Sequence, residues 1–301
     1  STSGPGLALM TESLGLAVAA EIPLVVIDVM RGGPSTGIPT KPEQSDLNIA
    51  VYGLHGDAPH LVLAPLSVED CLLTTQWSVH LAEALQTPAI VLSDQFLGQA
   101  RAVIDKPADL AFIARRKLAE QPDQDFARYA ITADGISPMS IPGTTNGQYV
   151  ADGLAHSTVG LPSSQAEHHS EQMDKRLRKL TDFDYGDHWA DIEGEGDIAV
   201  ISWGLAATAS REAVQRLREQ GKAVKFIAVR LIYPVQAEKM AQALAGVRRI
   251  LVIELNHSGQ FYRFLRAHYD MPGEVQAFNR PSPLVMRPGE IVDKIEAWSG
   301  V

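Results

Sequence analysis

The chain has 301 residues, 45% of them hydrophobic and 21% charged, with a formal net charge of −10 and a single cysteine, Cys71. That composition is globular and long enough for two ordinary domains. The acidity argues against a broad nucleic-acid footprint, and one thiol excludes a disulfide framework or an all-cysteine iron–sulfur site within this chain.

No apolar run approaches the ~18 residues of a membrane span, and no signal peptide is visible. A cytoplasmic protein without a membrane or nucleic-acid partner is therefore expected. The pattern predicts a helix over Gly6–Ala20, a doubly buried strand over Pro23–Asp28 and a helix over Pro42–Tyr52. A short strand follows at His60–Ala64, then a helix over Ser67–Leu85 opened by a near capping box, then a strand at Pro88–Leu92. Cys71 reads as a small buried hydrophobe at that helix start.

Residues 95–180 are less regular, broken by Pro107, Pro122, Pro138, Pro142 and Pro162, with a charged helix at Gln172–Leu180. The acidic, Gly-containing stretch 181–196 reads as a linker. Beyond it, strands at Ile198–Ser202, Val224–Val229 and Arg249–Leu255 alternate with helices at Ala207–Gln220, Val235–Leu244 and Ser258–His268. Gly221 stands where a helix stop is expected. A last helix spans about Pro288–Trp298. Such alternation implies parallel strands covered by helices.

Arg31 stands where the first strand gives way to a Gly/Pro-rich loop, the position at which open α/β sheets bind ligands. A guanidinium there can grip a carboxylate through two parallel hydrogen bonds. Gly32 and Gly33 allow close backbone approach, and Ser35 and Thr36 add hydroxyls. The competing reading is a structural ion pair with Asp28 or Glu43. The segment Thr2, Ser3, Gly4, Pro5, Gly6 is a Gly-rich turn feeding a helix start, suited to an anion or a polar ring. It lacks the Walker lysine and the dinucleotide glycine pattern, so a simple tight turn competes. His168 and His169 read as a solvated loop rather than metal ligands, and no metal site is expected in this chain. Glu254–Gln260 is a second strand-end loop, or packing between domains or subunits.

These segments, in this order, resemble the α subunit of the 2-oxoacid:ferredoxin oxidoreductases, most closely the 2-oxoglutarate members (2-oxoglutarate synthases). The resemblance rests on Thr2–Gly6 with Leu9-Met-Thr-Glu12, and on Arg31-Gly-Gly-Pro-Ser-Thr-Gly37 with Pro39-Thr40 and Glu43-Gln-Ser-Asp-Leu47. Looser matches are Gly153–Gly160, Lys175–Leu180, Ile198–Gly204 and Glu254–Gln260. It implies a pyrimidine-binding, parallel-sheet α/β domain over residues 1–180, a linker over 181–196 and a transketolase C-terminal-like α/β domain over 197–301. It further implies thiamine diphosphate shared with a β subunit that carries Mg²⁺ and a [4Fe-4S] cluster, coenzyme A as cosubstrate, and ferredoxin as electron acceptor.

By the same resemblance Arg31 binds the 2-oxoacid, Ser35 and Thr36 support it, and Thr2, Ser3, Gly4, Pro5 and Gly6 lie near the aminopyrimidine. The family also places a Tyr-Pro-x-Thr-Pro segment and an activating glutamate upstream of the Thr2–Gly6 motif, so this chain is expected to be the C-terminal part of a subunit. Where the family has Glu-His-Asp, this chain has Ala155-His156-Ser157, and His156 is assigned no catalytic role. A pyruvate or broad 2-oxoacid enzyme, and a non-catalytic assembly module with a structural Arg31, are the alternatives.

Overall fold

A computed structural model of the chain describes residues 1–105 and 112–299; Pro107 lies outside them. The first sheet has the order β1-β3-β2-β7. Strands β1 (Leu24–Met30), β2 (Leu61–Leu63) and β3 (Pro88–Asp94) are parallel, in register from Leu24 opposite Pro88 to Met30 opposite Asp94. Burial on both faces accounts for the apolar runs of β2 and β3, all of whose residues are buried, whereas β1 lies at the sheet edge and alternates, with Leu24 exposed, so it is not the doubly buried strand expected. Helices α1 (Gly4–Ala19), α2 (Leu47–Tyr52) and α3 (Asp70–Leu85) connect and cover them. The capping box at α3 forms across one position: Asp70 N–H donates to Ser67 Oγ at 3.1 Å, and Leu66 N–H donates to Asp70 Oδ2 at 2.8 Å.

The second sheet has the order β4-β6-β5-β8-β9. Its strands are β4 (Ala190–Glu193), β5 (Ile198–Trp203), β6 (Val224–Val229), β8 (Arg249–Glu254) and β9 (Glu274–Asn279). Helices α6 (Ala206–Glu219) and α9 (Pro288–Ser299) pack together beside it. Helix α7 (Ala237–Ala243) precedes β8, and α8 (Gln260–His268) follows it.

Several expectations are corrected. The stretch 181–196 is built into the second half: a 3-10 turn at Gly186–Trp189 buries Trp189, and β4 then pairs antiparallel with β6. Strand β7 (Leu231–Tyr233), unforeseen, crosses from the second half to close the edge of the first sheet, antiparallel to β2. The helix expected over Pro42–Tyr52 starts only at Leu47, because the backbone of Gln44 is paired with Leu255 instead. His168 and His169 lie on the first turns of α5 (Ala166–Thr181), where His168 Nδ1 sits 2.9 Å from Ser163 Oγ.

One hydrophobic core runs from Leu7, Leu14 and Met30 through Trp77 and Ile90 to Trp203, Ile250 and Phe261. The two sheets therefore share one continuous apolar interior. Among the described residues no helix is long and apolar enough to cross a membrane, and no cluster of His, Cys, Asp and Glu is placed to hold a metal ion.

Candidate active site

The first residues pair with β1 before the chain turns into α1. Thr2 N–H donates to the Ile27 carbonyl at 2.8 Å, and Val29 N–H donates to the Thr2 carbonyl at 2.8 Å. Thr2 thus lies alongside Asp28 as a parallel bridge. Pro5 stands in the first turn of α1, where a missing N–H costs nothing, and Ser3 leaves the first amides uncapped. Two glycines here admit neighbours. A Cβ on Gly6 would fall 1.9 Å from Thr2 Oγ1, and one on Gly4 would fall 2.6 Å from Asp46 Oδ2.

Arg31 follows β1 directly and is partly buried. Its Nε donates to Ser3 Oγ at 3.4 Å, a long bond, and its Nη1 donates to the Thr36 carbonyl. Among the described residues it forms no ion pair, so neither Asp28 nor Glu43 closes a bridge to it. Only two of its five N–H groups are engaged. The loop behind it is held by its own backbone: Gly32 N–H donates to the Lys41 carbonyl at 2.9 Å and Ile38 N–H to the Gly32 carbonyl at 2.8 Å. Gly37 has φ +52°, and a Cβ there would lie 1.9 Å from the Gly32 oxygen. Ser35 and Thr36 are exposed. Thr36 reaches Arg31 through its carbonyl, not its hydroxyl.

Beside this guanidinium lie two carboxyls. Asp28 is fully buried within β1, and neither of its oxygens receives a hydrogen bond from a conventional donor; the same is true of Asp46 Oδ2. Burial, and then the facing Asp46 carboxylate, push the Asp28 carboxyl well above the usual range. Burial raises Asp46 as well, while the hydrogen bond it shares with Asp28 offsets part of that rise. A third buried carboxyl, Asp94, ends β3 opposite Met30. It accepts from Phe96 N–H at 2.8 Å and Leu97 N–H at 2.9 Å, capping the short helix α4 (Gln95–Gln99). Burial pushes it up to about 6 despite those bonds.

The block Glu43–Leu47 fastens this corner to the second half. Gln44 is fully buried; its Nε2 donates to the Trp203 carbonyl and its Oε1 accepts from Leu255 N–H, both at 2.8 Å. Its backbone N–H donates to the Leu255 carbonyl at 2.7 Å, and Asn256 Nδ2 donates to its carbonyl at 3.0 Å. Gln260 adds a bond to the Ser45 carbonyl and accepts from Asn48 N–H. The Glu254–Gln260 loop therefore serves as packing between the two halves, with the Glu254 carboxylate accepting from Phe261 and Tyr262 N–H at the start of α8.

The structure thus brings Thr2, Ser3, Gly4, Asp28, Arg31 and Asp46 to one corner, and leaves Ser35 and Thr36 on an exposed loop. Sequence reasoning passed over Asp46. Its signal was indirect: Asp28 sits inside an otherwise apolar strand, and a buried carboxyl needs a partner. Cys71 lies at the start of α3, half-buried, with its thiol pushed up to about 11 by burial, then by the charges of Asp70 and Asp94.

Residues 1–175 match the family model described as pyruvate flavodoxin/ferredoxin oxidoreductase, thiamine diphosphate-binding, and residues 196–283 match that of the pyruvate:ferredoxin oxidoreductase core domain II. Among curated relatives, the α subunit of 2-oxoacid:ferredoxin oxidoreductase 2 from Aeropyrum pernix is 36% identical over 89% of this chain and 42% of its own length. The 2-oxoglutarate synthase subunit KorA from Methanothermobacter marburgensis is 34% identical over 98% of this chain and 78% of its own. A solved structure of 2-oxoglutarate:ferredoxin oxidoreductase from Magnetococcus marinus, with 2-oxoglutarate, coenzyme A and succinyl-CoA bound, superposes with a TM-score of 0.89 at 38% identity. The match covers 98% of this chain and 52% of that one. The chain thus spans about half the length of two of these three relatives.

Proposed function

Because this chain belongs to the pyruvate flavodoxin/ferredoxin oxidoreductase family, through its thiamine diphosphate-binding part, we propose that it is a subunit of a 2-oxoglutarate:ferredoxin oxidoreductase. The reaction is oxidative decarboxylation of 2-oxoglutarate to succinyl-CoA, with electrons passed singly to ferredoxin. The relatives named for 2-oxoglutarate support that substrate over pyruvate. The division expected from the sequence is kept as a functional one between residues 1–180 and the rest, with 181–196 part of the second half and β7 and Gln44 tying the two parts together. A β subunit supplies the Mg²⁺–diphosphate site and the [4Fe-4S] cluster, and a cytoplasmic setting is part of this reading.

The observation that carries the proposal is Arg31: a strand-end guanidinium with most of its donors unspent, facing the start of α1. Residues at that start fit a polar aminopyrimidine. The α1 amides are uncapped, and Thr2 and Ser3 carry hydroxyls at the turn that feeds them. Thiamine diphosphate, when bound, supplies the electron sink for breaking the bond to the substrate carboxylate. Arg31 would hold the 2-oxoacid by its carboxylate and carbonyl end, fixing its orientation and stabilising negative charge. Ser3 steadies the guanidinium through Nε, and the Thr36 carbonyl fixes its other arm. Ser35 and the Thr36 hydroxyl are proposed as lesser contacts that a bound substrate or partner would bring into use.

The test is coenzyme A-dependent reduction of a viologen dye by the assembled enzyme over a panel of 2-oxoacids. Rates concentrated on 2-oxoglutarate, and a loss of kcat/KM in Arg31→Ala, are expected. Equal rates with pyruvate would broaden the substrate class, and unchanged kinetics in a folded Arg31→Ala enzyme would remove Arg31 from the site.

A further inference from the structure

We propose that Asp28 and Asp46 are a proton-sharing positioning pair that holds the site together and keeps Arg31 available to its substrate. The inference rests on the functional reading above for what Arg31 binds, but its core is geometric. Asp28 reaches the corner from the interior of β1, and Asp46 reaches it from the end of the Glu43–Leu47 block. The two carboxyls share a hydrogen bond, beside the Thr2 bridge to Asp28 and the first residue of α1, which lies against Asp46. Gly4 is what lets them: any side chain there would strike both Asp46 oxygens, 2.6 and 2.7 Å away.

No conventional donor satisfies Asp28, whose two oxygens are buried. Burying two bare anions face to face is costly, so one proton is held between them until alkaline pH removes it. The helix N-terminus beside Asp46 favours the negative charge on that partner and the proton on Asp28. The charged groups acting on the pair are Arg31 and, on Asp46, Glu43. Glu43 is itself occupied, accepting from Ser282 N–H at 3.1 Å. Asp94 on the neighbouring strand is occupied by the α4 amides.

The charge count explains why Arg31 is unpaired. With one proton shared, the pair presents a single negative charge, already engaged by the hydrogen bond between the carboxyls. Once that proton is lost, a second charge arises next to the guanidinium and competes with the 2-oxoacid carboxylate for it. Asp28 and Asp46 touch no substrate in this scheme; they act through Arg31.

Two measurements on the assembled enzyme test it. The first is the KM for 2-oxoglutarate across neutral and alkaline pH. It is expected to rise toward alkaline pH, approaching about tenfold per pH unit, the slope of one lost proton. Asp28→Asn removes the buried acid and leaves Asp46 as the single charge, with no second carboxyl to ionise. It is expected to flatten the rise, which a merely structural role would not do. The second is an infrared difference spectrum, wild type minus variant, without substrate. It should show the carbonyl stretch of one protonated carboxylic acid in the wild type, lost in Asp28→Asn. A wild type with no such band, or a folded variant that keeps either the band or the alkaline rise, would overturn the proposal. Absence of all 2-oxoacid turnover in the wild type would strike the functional reading alone, since the infrared comparison is made without substrate.

Discussion

Arg31 illustrates how much one strand-end position fixes. Its fork, rather than its charge alone, suits a 2-oxoacid, whose carboxylate and carbonyl lie in one plane. Arg31→Lys keeps the charge and loses the fork. With about 1.5–3 kcal/mol for a hydrogen bond to a charged group, kcat/KM should fall by about one to two orders of magnitude. Steady-state kinetics on the assembled enzyme checks this, and an unimpaired lysine variant would mean that the fork is not used. Gly4 makes a second claim. Gly4→Ala introduces a Cβ onto the Asp46 carboxyl, and that carboxyl cannot withdraw without leaving Asp28. The expected outcome is a folded protein with an impaired KM, because overpacking of this kind typically costs about 1–3 kcal/mol. Wild-type KM in Gly4→Ala would show that the corner is slack. Arg31 and the Thr2–Gly6 turn were legible in the sequence because each stands at a strand or helix end. Asp46 was not, since nothing local says which strand its side chain will meet.

At the scale of elements, the parts that local pattern determines came out as expected. Helix α6 ends in the way that Gly221 announces. Gly221 N–H donates to the Arg218 carbonyl at 2.8 Å and Lys222 N–H to the Leu217 carbonyl at 3.0 Å, with Gly221 at φ +83°. The parts that depend on distant pairing did not. Strands β4 and β7 are short, sit at sheet edges and run antiparallel, and their only reason to be strands is the neighbour they find. The helix expected from Pro42 failed for a similar reason: Gln44 gives its backbone and its amide to Trp203, Leu255 and Asn256, more than 150 residues away in sequence. Gln44→Leu removes the side-chain bonds while leaving the Trp203 carbonyl and the Leu255 amide buried. The expected destabilisation is roughly 2–5 kcal/mol, read as a lower urea midpoint at unchanged slope. A midpoint equal to wild type would mean that the two halves are joined by the apolar core alone.

The whole molecule is also braced by a second charge cluster, which joins Glu21 to cations more than 100 residues further along the chain, and this cluster sets its behaviour in acid. Glu21, fully buried after the end of α1, accepts from Lys175 Nζ at 2.6 Å and from Lys179 Nζ at 3.0 Å. Lys179 also donates to the Gln86 carbonyl, Arg128 to the Glu21 carbonyl, and Arg176 to the Ala19 carbonyl. Two ammonium groups thus meet one carboxylate, and Lys179, Arg128 and Arg176 are further met by carbonyls at the ends of α1 and α3, the negative poles of those helices. Burial alone would raise Glu21, but the charges of Lys179 and Lys175 outweigh it and hold the carboxyl at about 2, against 4.5 when unpaired. The imbalance shows on the other side, where burial pushes Lys175 down to about 8 despite Glu21. A carboxyl lowered in the folded state stabilises fully above its unfolded value and ceases to do so as pH falls through its folded one. The loss should therefore run from about pH 4.5 down to about pH 2, and amount to about 3 kcal/mol. Glu21→Gln removes that acid dependence and leaves two ammonium groups buried without a counter-ion. It should lower stability near neutral pH by about 3–5 kcal/mol, and by progressively less toward pH 2. Denaturant unfolding of both proteins across that range measures the difference directly. A gap that stays constant with pH would mean that Glu21 contributes packing and not charge.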